Sequence, residues 1–142
     1  MALFLDTSAI VKLFVPESGS DDVEGIIAGD RVRHIGGLTE HEFLSAVHLR
    51  VRAGGLPAAA GDLAIQSFQA KFLPEVTVAP LDQDVIGRSL ALMRRHGPAG
   101  LRVLDSVQLA SCQGVPGATL VLADVVLSKF AIAERVPTRL IA

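Results

Sequence analysis

Two short apolar runs, each ending close to an acid with helix-forming sequence behind it, constrain this chain most. Ala2-Leu3-Phe4-Leu5 leads into Asp6, and Thr119 to Leu122 leads through Ala123 into Asp124. Runs this short, bounded this sharply, read as buried strands rather than helices. An acid placed after a strand and before a helix lies at the strand's carboxyl end. That is the edge where an open α/β sheet places its site. Glu42 in LTEHEFLSAV and Asp105 in LRVLDSVQLA also stand beside helix-start chemistry.

The rest of the chain alternates in the same way. After the strand at 2–5, a helix begins at Ser8 and stops near Pro16. A second helix covers Ser20 to Ala28, with Val23, Ile26 and Ile27 at helical spacing. Val32 to Ile35 reads as a strand. A helix from Thr39 to Ala53 is ended by Gly54-Gly55, and Pro57 opens the next, to Leu73. Pro74 breaks the chain before a strand at Val76 to Val78. Asp82 to Arg95 is helical and is closed by Gly97-Pro98. Another helix runs from Leu104 to just before Gly114. Thr119 to Leu122 is a strand, Val125 to Glu134 a helix, and Thr138 to Ile141 a last edge strand. Strands separated by helices pair in parallel through right-handed crossovers. The expected fold is therefore an α/β three-layer sandwich with a central, mainly parallel sheet, and residues 1–142 form one domain.

Composition narrows the functional classes. The chain has 142 residues and half are hydrophobic, with a mean hydropathy of +0.47. No apolar run reaches the roughly 18 residues of a membrane span, so the apolar excess points to subunit or partner interfaces. Asp6 interrupts the apolar start and no basic segment precedes it, which argues against a signal peptide. The single Cys112 excludes an intrachain disulfide framework and fits a reducing cytoplasm; it reads as a small core residue. A net charge of −2 leaves no general basic footprint for nucleic acid.

If the four acids converge, they must bind cations or stay partly protonated, because like charges at contact cannot all ionise. Oxygen-only ligands suit Mg²⁺ and Mn²⁺. Each acid also has a structural reading. Asp6 and Asp124 are placed to cap helices. Glu42 follows Thr39 at capping-box spacing. Asp105 suits the positive end of its helix. The two roles coexist, since helix N-termini keep carboxylates ionised and ready for a cation.

The D-T-S at Asp6, the T-x-x-E from Thr39 to Glu42, the L-R-x-x-D-S-x-x-L-A around Asp105 and the A-D at Asp124 resemble, in order, the motifs of PIN-domain proteins. The resemblance spans nearly the whole chain and is nearest to the bacterial VapC-type toxins. It implies a parallel sheet flanked by helices, with clustered carboxylates that bind Mg²⁺ or Mn²⁺. It also implies hydrolysis of RNA phosphodiesters to 5′-phosphate and 3′-hydroxyl products, and inhibition by a cognate antitoxin. Carried over by position, the catalytic and metal-binding residues are Asp6, Glu42, Asp105 and Asp124. Thr7 and Ser8 offer hydroxyls to orient Asp6 or a water. Arg102, close to Asp105, is the candidate phosphate contact. Family members often carry Thr or Ser two residues before the last Asp, where this chain has Leu122.

Other acids and bases have plainer readings. Glu40 points to a different side of its helix from Glu42. Asp21, Asp22, Asp82 and Asp84 begin other helices, while Arg50, Arg52, Arg94 and Arg95 end theirs. His41-Glu42 lacks the second His of a zinc-protease helix, since Ser45 stands there. No nucleotide loop or nucleophile elbow is present. With no Trp or Tyr, RNA recognition would rest on backbone charge and shape. The expected assembly is a homodimer that receives an antitoxin on the apolar surface of the helices Thr39–Ala53 and Pro57–Leu73. Two alternatives are a non-catalytic PIN-like module binding RNA or protein, and a domain phosphorylated on Asp6.

Overall fold

The computed structural model describes residues 2–29 and 31–142. Five strands form one sheet: β1 (Ala2–Leu5), β2 (Val32–Gly36), β3 (Thr77–Ala79), β4 (Thr119–Leu122) and β5 (Thr138–Leu140). Their order is β3-β2-β1-β4-β5, and every pairing is parallel. The expected mainly parallel α/β/α sandwich is therefore present.

Alternation along the strands sends side chains to two cores. Leu3, Leu5 and Val121 face one layer, which holds α1 (Thr7–Phe14), α2 (Ser20–Ile27), α3 (Thr39–Arg52) and α4 (Ala58–Ser67). Phe4, Leu120 and Leu122 face the other, built from α5 (Gln83–His96), α6 (Val103–Gln113) and α7 (Val125–Ala133). Chain direction across the sheet reverses at β1 and β4. From β1 the chain winds outward through β2 to β3, then crosses back to β4 on the other side of β1. The crevice at the carboxyl ends of β1 and β4 is thus the switch point of the sheet.

The expected helix from Pro57 to Leu73 is interrupted. α4 ends at Ser67, a wide π-type turn covers Phe68–Phe72, and a tighter 3₁₀ turn covers Leu73–Glu75. Packing explains the break. The Phe68 ring stacks on Phe43 with centroids 4.1 Å apart, Phe72 stacks on Phe68, and Phe14 stands edge-on to all three. Such wide turns occur mostly as single-turn interruptions of α-helices, and here the interruption coincides with the ring stack. The neighbouring strand consequently begins at Thr77 rather than Val76. Helix starts also shift by one residue, to Thr7 and to Val103. Cys112 is buried in the second core and unpaired, and burial pushes its thiol up to about 12.

Candidate active site

Asp6 follows β1 directly, and its backbone N–H still bonds to Val121 O on β4 at 2.9 Å. It caps α1, with Oδ2 accepting from the Ser8 N–H at 3.1 Å and from the Ser8 hydroxyl. The expected cap is therefore present, on a residue at the carboxyl end of β1. The Ser8 hydroxyl also accepts from the Ala123 N–H at 2.9 Å, so it links the ends of β1 and β4. Asp124 caps α7, accepting from Leu127 N–H at 3.0 Å.

Glu42 comes from α3, in the first helix layer, and Asp105 from the first turn of α6, in the second. The two layers meet over the carboxyl edge of the sheet, and the acids meet there. Burial raises the Glu42 carboxyl to about 7, helped by the negative charges of Asp6 and Asp105 and opposed by the Thr7 hydroxyl. Burial also raises Asp105; Arg102 opposes the rise, while Asp124 and Asp6 add to it. Asp105 therefore lies within electrostatic reach of Glu42, Asp6 and Asp124, and Glu42 within reach of Asp6.

The capping box expected for Glu42 does not form. Leu38 occupies the N-cap position. The Thr39 hydroxyl accepts instead from Gly36 N–H, at 3.0 Å, at the end of β2. That frees the Glu42 carboxyl, whose nearest hydrogen-bonding partner is the Thr7 hydroxyl, donating at 3.4 Å. Glu40 points elsewhere and accepts from Gln69 at 3.1 Å.

Arg102 reaches over the acids. Its guanidinium lies 3.2 Å from Asp105 Oδ2 and 3.6 Å from Asp124 Oδ2, and its side chain is 72 % exposed. Leu122, where the family resemblance leads one to expect a hydroxyl, is fully buried in the second core and contributes packing. One site residue was missing from the sequence reading. Gln108, one helical turn after Asp105, donates from Nε2 to Asp6 Oδ1 at 3.1 Å. Its position three residues after Asp105, on one face of the helix, was the available signal.

The four carboxylates offer only oxygen, the donor type a hard divalent ion prefers, and the exposed Arg102 cation lies across two of them. Glu42 is raised first by burial and then by its acidic neighbours. As they stand, however, no three His, Cys, Asp or Glu side chains among the described residues form a set able to hold an ion. Arg102 spans two of the acids instead.

Beside the acids lies an open cleft of about 860 Å³. Thr7, Glu42, Asp105 and Arg102 line one part of it, and Leu38, Leu49 and Leu104 contribute an apolar part. Leu49, Val103 and Leu104 are all exposed.

A family model for the PIN domain matches residues 3–133, and the chain belongs to the PIN-domain family. Solved structures agree in fold. The chain is similar to one described as FitAcB from Neisseria gonorrhoeae, at 16 % identity and a TM-score of 0.72, covering 97 % of this chain and 96 % of that one. It is similar to VapBC2 from Rickettsia felis bound to a promoter DNA fragment, at 15 % identity and TM-score 0.68, covering 100 % of both. It is also similar to VapBC-5 of Mycobacterium tuberculosis, a member of a toxin–antitoxin family, at 17 % identity and TM-score 0.60, covering 99 % and 97 %. Comparison with curated proteins returns no match. Among the described residues no helix is long and apolar enough to cross a membrane.

Proposed function

We propose that this chain is a VapC-type toxin, a metal-dependent endoribonuclease that hydrolyses RNA phosphodiester bonds in the cytoplasm. One observation carries the reading. Acids from two strand ends and two opposed helix layers are gathered at the switch point, where burial raises Glu42 and the charges of Asp6 and Asp105 add to the rise. Helix capping accounts for the places of Asp6 and Asp124, but not for the burial of Glu42 beside Asp6. Fold-level likeness to toxin–antitoxin structures supports the same reading.

In this proposal Asp6, Glu42, Asp105 and Asp124 would hold Mg²⁺ or Mn²⁺. When bound, such an ion supplies positive charge for the scissile phosphate and lowers the pKa of an attacking water. The protein's own groups do the rest. Ser8 N–H and hydroxyl fix one oxygen of Asp6. Thr7 keeps Glu42 turned toward the cleft. Arg102, long and exposed, is free to exchange its carboxylate partners for a substrate phosphate, the contact a guanidinium makes best. No Ser–His or Cys–His nucleophile is required, and Cys112, buried with a raised pKa, cannot supply one.

The cleft supports a second part of the proposal. Its apolar side, with exposed Leu49, Val103 and Leu104 beside the acids, suits an antitoxin helix or strand whose own Arg would reach the carboxylates. The test is direct: purified protein is incubated with structured and single-stranded RNA in Mg²⁺ or Mn²⁺ buffer, with an EDTA control. Cleavage that EDTA abolishes supports the enzyme. Tight RNA binding without any metal-stimulated cleavage would favour the non-catalytic alternative, to which the Arg102 bridge and Leu122 lend some weight.

A further inference from the structure

Gln108 is the buried group beside the acids that the reading above leaves unused. It is 2 % exposed. Its Nε2 donates to Asp6 Oδ1 at 3.1 Å, while its Oε1 is buried without a hydrogen-bond partner among the described residues. A half-satisfied buried amide costs stability, and an apolar side chain of the same length would avoid that cost. The sheet makes room for it: a methyl group on Gly36 would overlap Gln108 Oε1. Two positions thus depart from best packing so that one donor reaches Asp6.

We infer that Gln108 is a positioning residue for the metal-binding acids. Asp6 is gripped from both sides, by Ser8 on Oδ2 and by Gln108 on Oδ1. Gln108 lies one turn along α6 from Asp105. The helix that carries one acid therefore also fixes the rotation of another, and sets the two in register across the sheet edge. Outer contacts of this kind orient the groups that touch a metal. The inference rests on the metal-dependent reading proposed above.

Gln108→Met removes the donor while keeping length and volume. The expected result is a thermal midpoint equal to or above wild type, with Mn²⁺ affinity measured by calorimetry weakened roughly 10- to 100-fold. At saturating Mn²⁺, kcat for RNA should fall while KM holds, because Gln108 is buried away from substrate. Gly36→Ala, which displaces the same side chain from the sheet, should reproduce the loss of affinity. Wild-type Mn²⁺ affinity and kcat in Gln108→Met would overturn the inference. So would a loss that merely follows a lowered midpoint, since that marks a packing role. A wild type that binds Mn²⁺ but cuts no RNA would sink the nuclease reading, yet the affinity comparison would still decide the role of Gln108. A wild type that binds no Mn²⁺ would overturn both.

Discussion

At the scale of single residues, a substitution at Asp6 can separate its capping of α1 from the cation-binding role proposed for it. Asn keeps the size and the capping ability of Asp but removes the charge a cation needs. Asp6→Asn should therefore fold normally and lose RNA cleavage by on the order of 100-fold or more, the usual cost of one lost electrostatic contact in an active site. Wild-type turnover in that variant would leave Asp6 as a cap and nothing more. Glu42 makes a different prediction. Its carboxyl is raised from 4.5 to about 7 in the folded chain. Between those values the folded state binds more protons than the unfolded one, so stability must fall as pH rises through that window. The metal-free protein in EDTA should show its thermal midpoint decline from pH 5 to pH 8. Glu42→Gln should flatten that decline, and excess Mg²⁺ should offset it in the wild type. A midpoint indifferent to pH across this range would show that Glu42 is not under charge strain.

At the scale of elements, the aromatic cluster under α3 and α4 joins four phenylalanine rings in stacked and edge-on contacts. Phe68 is fully buried and stacked between Phe43 and Phe72. Phe68→Ala should cost about 3–5 kcal/mol, read as a shift of the urea midpoint; a loss under 1 kcal/mol would mean that the π-type turn re-forms as regular helix and closes the gap. The same cluster marks the limit of what the sequence disclosed. Strand positions, helix order and the parallel sheet were legible, because each strand is a short apolar run and each helix has Gly or Pro punctuation. Phe68 to Phe72 was not, because a wide turn is dictated by rings contributed from Phe14 and Phe43, far away in the chain. Asp6 and Asp124 could be placed at the sheet edge from their neighbours alone. Gln108 shares a helix face with Asp105, but that spacing does not separate a buried amide from a solvated one, so its bond to Asp6 was not legible. Thr39 misled for a related reason: its spacing to Glu42 suits a capping box, but Gly36 N–H claimed its hydroxyl.

At the scale of the whole molecule, exposed apolar residues are distributed over more than the cleft. Val125, Val126 and Ile132 on α7 are all exposed, as are Leu49 and Leu104 beside the acids. We expect a homodimer whose interface buries on the order of 1,200–2,000 Å² in total, with the cleft left for an antitoxin. Light scattering should report twice the chain mass. A monomer at high concentration would remove the dimer. Co-expression with a cognate antitoxin should give a complex with cleavage suppressed, and charge reversal at Glu42 should weaken that complex if an antitoxin Arg engages the acids.

The strand order carries a consequence in time. β1 lies at the centre of the sheet, yet its neighbour β4 is the fourth strand to be made. Synthesis at about 5–20 residues per second leaves roughly 6–24 seconds between Asp6 and Asp124 leaving the catalytic centre of the ribosome. Throughout that interval Asp6 has no β4 beside it and the Ser8 hydroxyl has no Ala123 N–H to accept from. The first acid of the site thus waits for nearly the whole chain. An incomplete product of translation, stalled or truncated before residue 119, carries one half of a crevice and no working edge. For a protein proposed to cut RNA, the unfinished chain thus lacks both the β4 edge and Asp124 until its last quarter is made.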